Sequence, residues 1–394
     1  MYDVAVIGGG PVGSHVAYKL AGMGYEVAVL EQKERLGSKV CCTGIIGQEC
    51  VRSFAVADNL ILRRVNRATL FSPSGEVLRL GQQETQACVL DRAAFDTTMA
   101  RCAQDKGAKY VFNSPVKNLE VSNDKVRIQT LRQEEGLDFD ARVVVIASGF
   151  NSRLVEGLGM GRISHFVVGA QAEVETVALD ELEIYFGEEI APGFFAWLVP
   201  TSPLKARAGL LSRHSPGLYL KRLMASLVAQ GKIVSAEAEL SYGGIPLKPL
   251  ARTYYNRRLV VGTAAGQVKP TTGGGIYYGL LCADIAANTL HQALNSNDLS
   301  ARGLANYERE WKKKLGQELK MGYRIRKFYE HLNDRQIDKL FNTIKANGMA
   351  DSLLKDSNVS FDWHSSGLLK ILGTVAVSKV IQAVKIPFRL RDRG

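Results

Sequence analysis

No uncharged apolar run in this 394-residue sequence reaches membrane-spanning length, so a helical integral anchor is not expected. Met1 leads straight into a strand-like run, which leaves no room for a leader and makes cytosolic residence the default expectation. Cysteines are few, at positions 41, 42, 50, 88, 102 and 282, with neither secretory context nor the paired spacing of a zinc site. Structural disulfides and bound metal are therefore not expected. A concentrated charge of one sign is also missing. The 50 Lys+Arg against 39 Asp+Glu leave +11, spread thinly until residues 312–314, 324–327 and 389–393. Solvated helix faces account for most of that surplus, and no nucleic-acid partner is expected.

What is present begins at residue 3, with DVAVIGGGPVGSHVAYKLAGMGYEVAVLEQ. Residues 4–7 form an apolar run of strand length. Gly8, Gly10 and Gly13 spell G-x-G-x-x-G, residues 15–21 have helical periodicity, and residues 27–30 form a second strand ending at Glu31. This context predicts a dinucleotide-binding βαβ unit. Gly8 permits the tight turn, Gly10 lets the backbone approach a pyrophosphate, and Gly13 lets helix and strand pack closely. The phosphates would sit on free N–H groups at the helix N-terminus, and Glu31 would accept from ribose hydroxyls.

Residues 35–46 form a small-residue loop with adjacent Cys41 and Cys42, open to a chemical role or to plain apolar packing. Residues 68–90 read as a β-hairpin turning at Pro73-Ser74-Gly75, after which Asp91 caps a helix over 92–106. Arg92, at that helix start, either reaches a phosphate or adenine or is an ordinary surface arginine. Strands are predicted at 116–121, 126–131 and 143–147, the last fully apolar and ending in the turn Ser148-Gly149. Residues 165–213 alternate as an inserted antiparallel sheet. Within it, Phe195, Trp197 and Val199 share one strand face, with Phe194, Ala196 and Leu198 on the other. That face suits an apolar ligand pocket or a plain sheet core equally.

The strand and turn over 258–266 contain Gly262 and Thr263. Next comes a loop with Pro270, Gly273, Gly274 and Gly275, then a helix over 276–290. Its bare N-terminus would stabilise an anionic ring edge. From residue 301 the pattern is helical, with Tyr307, Trp311, Leu315, Leu319 and Tyr323 near one face. Residues 366–388 are apolar but carry Lys370, Lys379 and Lys385, followed by Arg389, Arg391 and Arg393. They suit docking on an anionic membrane surface, packing on their own domain, or a dimer contact.

On the N-terminal fingerprint with Glu31, the cysteine loop, Arg92, the segment PGFFAWLVP and the segment GTAAGQVKPTTGGGIYYG, residues 1 to about 290 resemble the geranylgeranyl reductase family. These are FAD-dependent oxidoreductases of the p-hydroxybenzoate hydroxylase-like flavoprotein superfamily. The resemblance implies an α/β (α+β) fold: a Rossmann-like three-layer FAD domain with an inserted antiparallel β-sheet substrate domain and a helical C-terminal region. The expected boundaries are 1–67, 91–164 and 250–300 for FAD, 68–90 and 165–249 for substrate, and 301–394 for the helical region.

The resemblance further implies FAD contacts at Val12, Glu31, Cys42, Thr43, Arg92, Val116, Thr263, Gly275 and Ile276. Gly8, Gly10, Gly13, Gly149, Gly262, Pro270, Gly273 and Gly274 complete the expected cofactor set. Cys42 matches the cysteine that faces flavin and substrate, and is the expected proton donor, with Cys41 second. Phe195, Trp197 and Tyr277 are the expected substrate contacts.

The implied reaction saturates isolated double bonds of polyprenyl chains in isoprenoid diphosphates or lipids. A flavin-dependent monooxygenase or halogenase, and a non-catalytic flavin or lipid binder, are the alternatives. With no second dinucleotide fingerprint, NADPH and reduced ferredoxin are equally expected as electron donor. The expected location is cytoplasmic, with a peripheral contact on the inner face of the membrane if the C-terminal segment takes the first of its three readings. Two positions depart from the superfamily: Ser148-Gly149 replaces Asp-Gly, and Gly262-Thr263 replaces Gly-Asp.

Overall fold

The structure, a computed structural model, describes residues 1–38, 40–132, 135–347 and 360–363. The chain opens with β1 (Tyr2–Ile7), α1 (Pro11–Gly22), β2 (Val27–Leu30), β3 (Ile45–Gly47), α2 (Gln48–Ser53), β4 (Ile61–Val65), β5 (Arg67–Phe71), β6 (Val77–Gly81) and β7 (Ala87–Leu90). There follow α3 (Arg92–Asp105), β8 (Lys109–Val111), β9 (Val116–Val121), β10 (Val126–Arg132), β11 (Glu135–Ile146), α4 (Ser152–Gly157), β12 (Phe166–Glu175), β13 (Leu182–Phe186), β14 (Phe195–Ser202) and β15 (Lys205–Ser212). The last elements are α5 (Pro216–Ala229), β16 (Ser241–Pro246), β17 (Tyr254–Tyr255), β18 (Arg258–Val260), α6 (Ile276–Asn295), α7 (Ala301–Tyr329) and α8 (Asp334–Ala346).

These elements make two compact units. The first comprises Met1–Val40, Asp91–Phe166 and Gly244–Lys320. Its sheet has the order β17-β18-β11-β1-β2-β8, extended by β10 and β9. The pairs β2–β8, β1–β2, β1–β11 and β11–β18 are parallel. The runs VAVI, VAVL and VVVI have no polar alternation because strands of a parallel sheet are covered on both faces. Ile7 is in register with Leu30 on one side and Ile146 on the other, so Gly8, Glu31 and Ala147 emerge side by side at the carboxyl edge. Ligands of open α/β sheets bind at that edge.

The second unit comprises Cys41–Leu90, Val167–Gly243 and the described residues from Met321 on. A seven-stranded sheet, β16-β12-β15-β14-β13-β5-β6, carries α5 on one face, where Leu220, Leu223, Met224 and Leu227 pack with Ala170, Ala196, Leu198 and Leu210. On the other face Val199 and Trp197 join Val65, Ala87, Val89 and Leu182. The expected alternation along β14 is thus observed.

Several boundaries differ from the sequence reading. Residues 41–67 fall in the second unit, because β3 and β4 each hydrogen-bond to β7. For the same reason only the first half of the expected 68–90 hairpin is one: β5 and β6 pair around Pro73-Ser74-Gly75, whereas β7 belongs to the three-stranded sheet β3-β7-β4. The inserted sheet is not wholly antiparallel, since β13 runs parallel to β5. Nor is the helical region from residue 301 a separate body. Early in α7, Trp311 Nε1 donates to Thr253 Oγ1 at 2.9 Å within the first unit, while Phe328, Ile337 and Phe341 pack with Leu78 in the second. The basic segment 366–388 lies outside the described residues.

Candidate functional site

In the first unit, the glycine turn after β1 is built by close approaches that only glycine permits. Gly8 has φ +103°, and a Cβ there would stand 2.5 Å from the Ala147 carbonyl oxygen. At Gly13 a Cβ would stand 1.9 Å from the Gly8 carbonyl oxygen. Around Gly10, by contrast, nothing lies within 4 Å of that position, which is the open side a pyrophosphate needs. Gly10 is the N-cap of α1 and supplies no side-chain acceptor, and Pro11 occupies the first turn. The first N–H groups of α1 therefore point out of the helix without intrahelical acceptors.

Glu31 closes this cradle. Its carboxylate, only 6% exposed, accepts the Gly9 N–H at 2.7 Å and the Lys33 N–H at 2.9 Å. Each oxygen keeps lone-pair capacity for ribose hydroxyls. The turn is propped from behind: Tyr110 donates to Ser14 Oγ at 2.8 Å, and Ser14 donates to the Gly9 carbonyl at 2.9 Å. Burial pushes the Tyr110 phenol up to about 12, so it stays a neutral donor. Gly9, Ser14 and Tyr110 were not singled out from the sequence, although the middle glycine of the GGG run was a visible signal for Gly9.

The return segment converges on the same turn. Val12 fills the space against Gly262 and Gly279, where added Cβ atoms would lie 3.1 and 2.5 Å from its methyl groups. Gln267, fully buried, accepts the Gly262 N–H and donates to Tyr307, which donates to the Val260 carbonyl. The loop before α6 is tied by Lys269 N–H to Gly274 O and Gly273 N–H to Lys269 O, with Pro270 buried beside it. Gly275 is the N-cap of α6 without a side-chain cap, Ile276 opens the helix, and Thr263 Oγ1 stands 3.3 Å from where a Gly275 Cβ would be. Gln267 and Gly279 lie within the segment GTAAGQVKPTTGGGIYYG and Tyr307 on the apolar face from residue 301, but the sequence reading gave none of them a part in the site.

Other expected cofactor residues vary in placement. Gly149 has φ +68° with open space around it, and beside it Ser148 Oγ is buried with no hydrogen-bond partner among the described residues. Arg92 is buried, and its guanidinium binds Asp96 at 2.6 Å, so it is not a plain surface arginine. Burial pushes the Asp96 carboxyl up, against the lowering effect of Arg92. The Val116 side chain belongs to the core with Ile7, Leu30 and Ile146. Tyr277, expected to touch substrate, is a core residue of α6. The uncapped helix starts, the open space at Gly10 and Gly149, the Glu31 carboxylate and the orphaned Ser148 hydroxyl fit a bound FAD.

The second unit holds the two cysteines of the loop, Cys41 and Cys42. Cys42 Sγ accepts the Gly44 N–H at 3.4 Å. Thr43 donates to Gln171 Oε1 at 3.1 Å, and its carbonyl accepts from Arg207 Nη1 at 2.7 Å; the same nitrogen reaches the Leu90 carbonyl at 3.2 Å. Burial pushes the Cys41 thiol up, partly offset by a hydrogen bond with Ser241. Arg207, a charge inside the strand KARAGLLS, was a readable signal that sequence reasoning passed over. On β14, Phe195 lies edge-on to Trp197 with ring centroids 6.2 Å apart, and the buried Trp197 Nε1 has no partner among the described residues. Arg326 and Tyr329 of α7 hold the preceding turn through the Gly193 and Phe194 carbonyls.

Comparison with known proteins agrees with this anatomy. Residues 1–189 match the FAD binding domain family model. The digeranylgeranylglycerophospholipid reductase of Methanocaldococcus jannaschii is 31% identical over 353 residues, covering 86% of this chain and 90% of that protein. The digeranylgeranylglycerophospholipid reductase 2 of Methanothermobacter thermautotrophicus is 29% identical over 94% of this chain and 98% of its own length. Among solved structures, a geranylgeranyl bacteriochlorophyll reductase-like protein of Thermoplasma acidophilum shares the fold, with TM-score 0.84, 24% identity and 98% of each chain covered. A flavin-dependent brominase shares it at TM-score 0.70 and 16% identity, covering 94% of this chain and 97% of its own. The chain belongs to the geranylgeranyl reductase family of FAD-dependent oxidoreductases.

Proposed function

We propose that this protein saturates isolated C=C bonds of prenyl chains carried by a lipid or diphosphate, with Cys42 as proton donor. The observation that carries the reading is the 31% identity, across nine-tenths of its length, to a protein named for reducing digeranylgeranylglycerophospholipid. FAD, when bound and reduced, supplies the hydride.

An isolated alkene accepts hydride poorly, so a proton must arrive at its second carbon. The Cys42 thiol supplies it, and its sulfur is held in the loop by the Gly44 N–H. Thr43, gripped by Gln171 and Arg207, fixes the residue that joins Cys42 to that N–H. Phe195 and Trp197 provide apolar wall for a chain whose binding gains about 0.8 kcal/mol per buried methylene. The first unit binds the dinucleotide through Gly8, Gly10, Gly13, Glu31, Gly149, Gly262, Thr263 and Gly273–Gly275. The electron donor is NADPH or a reduced ferredoxin. The hydroxylase or halogenase reading is not favoured, because those structures are distant, at 16% identity.

The test is anaerobic. Chemically reduced holoprotein is mixed with a geranylgeranylated glycerophospholipid or geranylgeranyl diphosphate while flavin absorbance and product mass are followed. Reoxidation with a gain of two hydrogens per bond supports the reading. Flavin that stays reduced with every prenyl compound, yet turns over with oxygen and an aromatic substrate, would overturn it.

A further inference from the structure

We propose that Ser360–Trp363 is a strap that sets the position of the cysteine loop, with Asp362 as a positioning residue for Cys42. The inference rests on Cys42 being the proton donor.

The argument begins at α2, the short helix that follows the cysteine loop and β3. Its N-cap is Gly47, which has no side chain to satisfy the first helical N–H groups. A residue 315 positions away does so instead. Asp362 Oδ1 accepts from Gly47 N at 3.2 Å, and Oδ2 accepts from Glu49 N at 3.1 Å and Cys50 N at 3.2 Å. The carboxylate is 1% exposed, which is tolerable only because it is so fully hydrogen-bonded at the positive end of a helix. Glycine at 47 is what admits it: a Cβ there would lie 2.1 Å from Asp362 Oδ2.

The residues beside Asp362 make the attachment specific. Trp363 Nε1 donates to Glu49 Oε2 at 2.6 Å. Phe361 packs against the apolar cluster of Val65, Ala87, Val89, Leu182 and Val199, the same cluster against which Trp197 packs. The strap therefore grips α2 by its N-terminus and packs on the core that supports Trp197 at the same time. From Gly47 the connection to the thiol is short and stiff. β3 is held to β7 through Ile45, Ile46 and Gly47, and Gly44, whose N–H binds Cys42 Sγ, is itself held by Leu90. Releasing Asp362 frees one end of this connection and lets the thiol drift from its working position.

The experiment uses the full-length holoprotein and the variants Asp362→Ala, Asp362→Asn and Gly47→Ala. Amide hydrogen exchange reads the cap, peptide-resolved alkylation reads Cys42, and steady-state prenyl reduction reads the consequence. In the wild-type chain the amides of Gly47, Glu49 and Cys50 are expected to be protected. In Asp362→Ala and Gly47→Ala they should exchange at least about tenfold faster. Cys42 alkylation should change by about threefold or more. The value of kcat should fall about tenfold to a hundredfold with KM nearly unchanged, and Asp362→Asn should lie between.

Unprotected wild-type amides overturn the strap even if every variant fails to fold. Loss of protection with alkylation and kcat unaltered overturns the positioning role. If the wild-type protein reduces no prenyl substrate, the proposed function fails while exchange and alkylation still decide the strap.

Discussion

Gln267 and Gly262 close a buried ring: the Gly262 N–H donates to Gln267 Oε1 at 2.7 Å, and the Gln267 N–H donates to the Gly262 carbonyl at 3.0 Å. The same side chain donates to Tyr307, so a residue of α7 supports the turn that presents Thr263 to the start of α6. Gln267→Leu keeps the volume and strands the Gly262 N–H. Unfolding free energy should drop by about 2 kcal/mol, and the FAD content of purified protein should fall with it. Denaturant titration and the absorbance ratio check both.

The glycines of the first turn should separate fold from ligand. In Gly13→Ala the new methyl collides with the Gly8 carbonyl, and the apoprotein should lose about 1–3 kcal/mol of stability or fail to fold. Gly10→Ala meets open space, so its apoprotein should lose no more than the N-cap preference, about 1 kcal/mol or less, while FAD affinity drops at least about tenfold. Apoprotein melting and FAD titration measure the two separately.

The two adjacent cysteines should differ. Cys42→Ala should lower prenyl turnover by about a hundredfold or more, the range of a lost general acid, whereas Cys41→Ala should cost less than about tenfold. Because burial raises the Cys41 thiol, less thiolate is present at a given pH. Its alkylation rate should reach half-maximum above the ordinary value of about 8.5. A turnover loss confined to Cys41→Ala would reverse the assignment.

Asp284 ties α6 to α1 by accepting from His15 at 2.8 Å, with Lys19 at 3.4 Å. Burial alone would raise its carboxyl, but His15 and Lys19 outweigh that and hold it below the usual carboxylate range. An acid depressed in the folded state contributes stability above its unfolded value of about 3.9 and loses it as pH falls through the folded value. The pair is partly exposed, so the contribution is about 0.5 kcal/mol. Asp284→Asn should flatten the acid limb of a stability profile below pH about 4 by that amount and leave stability unchanged below the folded value.

The nucleotide cradle was legible in the sequence because each requirement is local. Gly8, Gly10 and Gly13 answer to one turn, and the all-apolar runs of β1, β2 and β11 announce a buried parallel sheet. Asp91 capping α3 and the turn at residues 73–75 are equally short-range. Arg92 marks the limit of that legibility. Its buried pairing with Asp96 is a one-turn relationship, yet whether such a pair lies inside or on the surface depends on what packs over the helix.

By itself, then, the sequence determined the dinucleotide turn, the parallel strands and the alternating faces of β14, all set by backbone sterics and by periods of two and 3.6 residues. Tertiary structure alone decided the rest. It sent β7 to β3 and β4 rather than to β6, divided α7 between two units, brought Gln267 and Tyr307 behind the Gly262 turn, and set Asp362 on a helix 315 residues away. Strand partners and remote caps satisfy hydrogen-bonding groups that any number of segments could satisfy equally well. Only the packed chain selects which segment arrives.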